Sequence, residues 1–89
     1  QQGAKDGLIA FAKDTGNPIP AAVLYGVGDS ESGLEAAVAA FKRNSKSPVL
    51  EFLAAKIGPN IDAIVLEIDE RLGEANLPKP PMVEWWLSL

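Results

Sequence analysis

The chain has 89 residues, no cysteine and no histidine, and its 12 acidic and 8 basic residues leave a net charge of −4. Disulfides, thiolate nucleophiles and zinc–thiolate sites are thereby excluded, and the commonest general base and transition-metal ligand is missing. The acidic balance opposes a phosphate backbone, the one basic cluster being Lys42, Arg43 and Lys46, and no apolar run approaches the about 18 residues that a membrane span needs.

With 47% apolar residues, mostly aliphatic, the composition is that of a folded chain. The length sets the expectation of one domain, residues 1–89, in which nearly every large apolar side chain is needed for the core. Gln1 in place of a methionine fits a matured product, a fragment or a trimmed chain equally well, and the compartment stays open.

Taken in chain order, Leu8, Phe11 and Ala12 open with a helical spacing that predicts a first helix over 3–15. Asn17-Pro18 then resets the chain, because proline fits a first helical turn and interrupts a continuing one. A short second helix over 18–27 follows and ends at Gly28. Asp29 or Ser30 suits the cap of a third helix over 30–45, whose Leu34, Ala37, Val38 and Phe41 share one face. Ser47-Pro48 opens a fourth helix over 48–57, with Ser47 its expected cap as Asn17 is of the second, and Gly58 closes it in the place where a left-handed residue is wanted. Asn60 is the expected cap of a fifth helix over 61–73, built on Ile61, Ile64, Val65, Ile68 and Leu72. Lys79-Pro80-Pro81 leads into a sixth over 81–88. No stretch alternates for long enough to predict a strand.

The long and short helices alternate, and the alternation repeats. A shift of thirty pairs Phe11 with Phe41, Pro18 with Pro48, Ile19 with Val49, Val27 with Ile57 and Gly28 with Gly58. A third copy aligns Pro48-Val49-Leu50-Glu51-Phe52-Leu53 with Pro81-Met82-Val83-Glu84-Trp85-Trp86. The expected fold is therefore all-α: about six short helices as three helix–proline–helix hairpins, arranged as a compact globule or a short solenoid. A hairpin of this size cannot bury its apolar stripe alone, so neighbouring units share a core.

Carboxylates are the sole catalytic candidates. Asp29, Glu31 and Glu35 surround the start of the third helix, and Asp62, Glu67, Asp69 and Glu70 lie on the fifth. Macrodipole compensation and an i, i+4 pair from Glu67 to Arg71 account for them without chemistry. Asp29-Ser30-Glu31-Ser32-Gly33 lacks the spacing and closing glutamate of a calcium loop, and Gly26-Val27-Gly28 lacks the lysine and hydroxyl of a phosphate loop. No catalytic, metal or cofactor residue is assigned.

The segment Ala36-Ala37-Val38-Ala39-Ala40 suits close helix approach, with Ala36, Ala40 and Arg43 on one side of the third helix, either in the middle of the core or toward a partner helix. Trp85 and Trp86 are about 100° apart on a helix, so one should cap the core and the other point sideways. Tryptophan is enriched at binding hot spots. The expected function is a non-catalytic interaction or assembly module, contacting a protein partner or a second copy through Met82, Trp85, Trp86 and Leu89, with Tyr25 as a second contact. The alternative is a carrier of an apolar small molecule or lipid in a cavity lined by Leu24, Phe41, Phe52, Ile64 and Ile68. A carboxylate enzyme ranks behind both.

Overall fold

The computed structural model describes residues 2–89, in which six helices follow one another: α1 (Gln2–Thr15), α2 (Ile19–Gly26), α3 (Ser30–Arg43), α4 (Val49–Ile57), α5 (Asp62–Glu74) and α6 (Pro81–Leu87). Among the described residues there is no strand. The Cα radius of gyration, 11.7 Å, is close to the about 12 Å expected for a packed chain of this length. The shortest extent, 18 Å, is the thickness of about two helices packed at ordinary interaxial distance.

Helix ends follow from local chemistry. α1 stops where Gly16 takes φ 74°, its amide bonding to the Ala12 carbonyl at 2.8 Å. The Asn17 side-chain oxygen accepts from the Ile19 amide at 2.8 Å, so Asn17 does organise the start of α2. Gly28 (φ 88°) closes α2 with the Asp29 amide reaching back to the Leu24 carbonyl and the Gly28 amide to Tyr25, the paired bonds of a Schellman turn. Asp29 caps α3 by accepting from the Ser32 amide at 3.2 Å. Gly58 (φ 104°) ends α4.

Three details depart from the sequence expectation. α3 ends at Arg43, two residues early, because Asn44 is extended and its side chain accepts from the Lys46 amide at 3.0 Å. Ser47 does not cap α4: its buried hydroxyl donates to the Gly16 carbonyl, 31 residues away, tying the two proline junctions together. Asn60 makes no capping bond either, and α5 begins after Ile61 without a side-chain cap. At the far end of α5, Asn76 adopts φ 57° and the Leu77 amide bonds to the Leu72 carbonyl, a second Schellman closure.

Packing centres on α3. It lies against α1 on one side, α2 over another and α5 beyond, while α2 also packs on α4, and α6 on α5. The alanine face explains why α3 can be central: Ala36, Ala37 and Ala40 are fully buried, so two neighbouring helices approach closely within the chain itself. Leu50 and Leu53 of α4, Ile61, Val65, Ile68 and Leu72 of the α5 segment, and Val83 of α6 complete the core.

Candidate interaction surface

α6 is set by its prolines. Pro80 is extended (φ −63°, ψ 147°) and buried, Pro81 occupies the first turn, and the Lys79 ammonium lies 3.5 Å from the Asp69 carboxylate, fixing the entry to α5. The helix closes when the Ser88 amide turns back to Glu84 and its hydroxyl donates to the Trp85 carbonyl at 2.8 Å. Within this short helix Val83 is fully buried, and Met82 and Trp86 are half-buried against the core. Trp85 is 53% exposed and Leu89 77% exposed. The two indoles meet edge to face, 5.7 Å between centroids at 89°. Trp86 thus plugs the core, its indole N–H buried without a protein acceptor, while Trp85 stands outside it.

The exposed apolar surface continues beyond the tryptophan. Leu66 and Leu87, both exposed, line a shallow hollow of about 140 Å³ with Trp86, Val65 and Asp62. Four large apolar side chains of α5 and the α6 segment, Leu66, Trp85, Leu87 and Leu89, are therefore left in water.

Tyr25, expected as a second contact, does not belong to this surface. Its ring is buried on α2 against Gly33 of α3, at a position where even a methyl group at Gly33 would lie 2.7 Å from the ring. The hydroxyl has no protein partner. Burial, helped by the nearby Glu67 charge and opposed by Arg71, pushes its pKa up to about 12.

The five residues expected to line an internal cavity are dispersed. Leu24, Phe41 and Ile68 are core, Ile64 is half-buried, and Phe52 is exposed. The hollows of the molecule are surface grooves instead, one between α1 and α3 holding Ile9, Lys13, Val38 and Lys42, and another between α1 and α2.

Among the acidic residues, Asp29 is held below the usual carboxylate range by its hydrogen bond from the Ser32 amide and by Lys5, whose ammonium is 3.2 Å away. Glu31, Glu35, Asp62, Glu67 and Glu70 are exposed on helix surfaces, and Asp69 faces Lys79. The expected Glu67–Arg71 pair does not close to 4.0 Å; among the described residues the ion pairs are Lys5–Asp29 and Asp69–Lys79. No helix of the described residues is long and apolar enough to cross a membrane, and no group of three acidic side chains there is placed to hold a metal ion.

Comparison of the chain with protein-family models, with curated proteins and with solved structures gives no match.

Proposed function

We infer that the chain acts as one unit, a short stack of three helix–proline–helix hairpins whose role is non-catalytic protein–protein contact, carried by the surface around α6. The observation that supports it most is Trp85. A half-exposed tryptophan, on a helix segment that also exposes Leu87 and Leu89, leaves costly apolar surface in water. Its neighbours Val83 and Trp86 are anchored in the core, so the anchor is presented on a held helix and not on a loose tail. Such a preset aromatic knob, rimmed by the charges of Asp62 and Glu84, is the anatomy of a contact hot spot.

The stack reading has support of its own. α1, α3 and α5 contact in series and α2 lies beside α4, an order compatible with stacked hairpins, while α6 packs on α5 without a comparable contact to α4. Burial also follows the sequence alignment of the last two short helices: Leu50 and Val83 are both fully buried, while Phe52 and Trp85 are both exposed.

The test is capture from a lysate of the source cells with immobilised wild-type protein and with Trp85→Ala, after circular dichroism and melting have shown that both are folded. Recovery of a protein, the chain itself included, by the wild type and its loss with Trp85→Ala is expected. Equal recovery by both would remove α6 as the contact surface.

A further inference from the structure

α1 and α3 run side by side in the same direction. At their starts the Lys5 ammonium meets the Asp29 carboxylate at 3.2 Å. Just past their ends Gly16 lies against Asn44, where a Cβ on the glycine would stand 3.0 Å from the Asn44 Cβ. Between the two helices, with Arg71 of α5 also at its wall, is a groove of about 360 Å³. Its floor is aliphatic: Ile9, Val38 and Ala39 are half-buried and packed on the core. Its walls carry Lys13, Lys42 and Arg71 against the single carboxylate of Glu35, a local balance of +2 on a molecule whose net charge is −4.

Those charges are not spread evenly. Glu35 and Lys42 are two turns apart on α3, about 10 Å along the helix. Arg71 belongs to the Glu35 end, because it also borders a second hollow with Glu67 and with Glu31, one turn nearer the start of α3. Its charge is balanced by acids. Lys13 and Lys42 share the other end, since each lies in the last turn of its helix and those helix ends meet at Gly16 and Asn44. Neither lysine belongs to an ion pair among the described residues, whose pairs are Lys5–Asp29 and Asp69–Lys79. A single cation in a last turn is ordinary macrodipole compensation. Two of them at one end of a shared aliphatic floor make an amphipathic site.

We propose that this groove binds a free aliphatic chain ended by one anionic group, as in a medium-chain carboxylate, with the head between Lys13 and Lys42 and the chain over Ile9, Val38 and Ala39. The site is separate from the α6 surface and shares no residue with the hollow there. Chemistry selects the ligand. The uncompensated charge is positive, so the head is an anion, and no aromatic side chain lines the groove to stack a base or ring. Length fits as well: eight carbons joined by bonds of about 1.5 Å reach about 9 Å in a zigzag, close to the span from Lys42 back to Glu35. Glu35 repels a second anion at the far end, which favours a monocarboxylate over a dicarboxylate.

The experiment is titration of isotope-labelled protein with sodium octanoate, followed by amide chemical shifts in two-dimensional NMR. Octanol and octylammonium serve as chain-matched probes without the negative charge. Saturable displacement of the amides around Ile9, Val38, Ala39 and Lys42 is expected with octanoate. Lys13→Gln and Lys42→Gln should each weaken it by about two- to five-fold, and the double variant by about ten-fold. Octanol should bind the wild type about as weakly as octanoate binds the double variant. Lys46→Gln removes the same charge outside the groove and should leave the affinity unchanged. All three lysines are exposed, so the variants keep the fold, with circular dichroism as the check. No saturable displacement, equal affinity for octylammonium, displacement centred on another face, or an equal loss with Lys46→Gln would overturn the proposal. Co-sedimentation with phosphatidylglycerol vesicles that the double variant abolishes would overturn the free ligand in favour of a lipid head in a bilayer.

Discussion

The closeness of α2 to α3 makes a prediction that separates two glycines of the same protein. Gly33, inside α3, is buried, and a Cβ there would meet three Tyr25 ring carbons at 2.7, 2.9 and 2.9 Å. Gly7, inside α1, is exposed, and a Cβ there meets nothing within 4 Å. Both substitutions to alanine gain the same helix propensity, about 1 kcal/mol. Only Gly33→Ala must also push a buried aromatic ring back by several tenths of an ångström or more, an overpacking that costs about 1–3 kcal/mol. Gly7→Ala should therefore stabilise by up to about 1 kcal/mol, and Gly33→Ala should end between neutral and about 2 kcal/mol destabilised. For a chain of this size each kilocalorie moves Tm by about 4–8 °C. Thermal melts followed at 222 nm, with urea titrations for the free energies, measure both. In a Tyr25→Ala background the Gly33→Ala change should recover the gain seen at Gly7, since its clashing partner is gone. If Gly33→Ala raises Tm as much as Gly7→Ala in the wild-type background, α2 is not seated on α3 through the Tyr25 ring and the packing argument is wrong.

Other outcomes follow from buried polar groups and from titration. Ser47→Ala strands the buried Gly16 carbonyl that the hydroxyl serves, and should lower stability by about 1–3 kcal/mol in urea titrations. Tyr25 has its folded pKa raised to about 12, so the folded state keeps a proton that the unfolded chain loses near 10; stability is complete below pH 10 and declines as pH rises toward 12. Melts from pH 8 to 12 should show that decline, and Tyr25→Phe should flatten it without lowering Tm at neutral pH, because the hydroxyl has no protein partner to lose. Asp29 has the opposite sign: its depressed pKa makes its contribution complete above the ordinary carboxylate range and lost as pH falls through the lowered value. Asp29→Asn, which can still cap α3, should therefore lose less Tm than the wild type between pH 6 and pH 2.

The helices were legible because proline and glycine mark their ends by sterics local to the chain. Gly28 and Gly58 take the left-handed conformations their positions imply, and all six helices begin and end within two residues of the expected spans. Apart from the early stop of α3, which Asn44 makes locally, and the uncapped start of α5, the misreadings involve partners distant in sequence. Ser47 resembles a cap beside Pro48, yet its hydroxyl is claimed by a carbonyl at Gly16, on the far side of two helices. Tyr25 carries a polar tip and was expected at the surface; the spacing of Ala21 and Tyr25 on one face of α2, with Gly33 following, was the available sign that the ring would be laid on a glycine. Phe11, Val23 and Phe52 were needed for the core by any count of apolar residues, but they are exposed. Periodicity fixes which side of a helix is apolar and says nothing about whether a neighbouring unit is there to cover it.

That last failure bears on function. An 89-residue chain has little apolar surface to spare, yet this one leaves Phe11, Ile19, Val23 and Val27 in water at one hairpin and Leu66, Trp85, Leu87 and Leu89 in water at the other. Scattered exposure would be ordinary. Here part of the exposure falls where the residue thirty positions on is buried: Phe11, Ile19 and Val23 are exposed while Phe41, Val49 and Leu53 are covered, whereas Val27 and Ile57 are both exposed. A stack that merely ended would be expected to carry polar residues on its outer faces, as terminal repeats do. α5 follows that rule in part, with Glu67 and Glu70 standing where α3 has Ala37 and Ala40. α6 does not, since the position that is alanine in α2 and phenylalanine in α4 is tryptophan there. Contact through that residue would also stabilise the helix that bears it, because a partner that binds only the folded chain shifts the folding equilibrium by mass action; α6, held mainly by α5 and by the burial of Val83, is the element with most to gain.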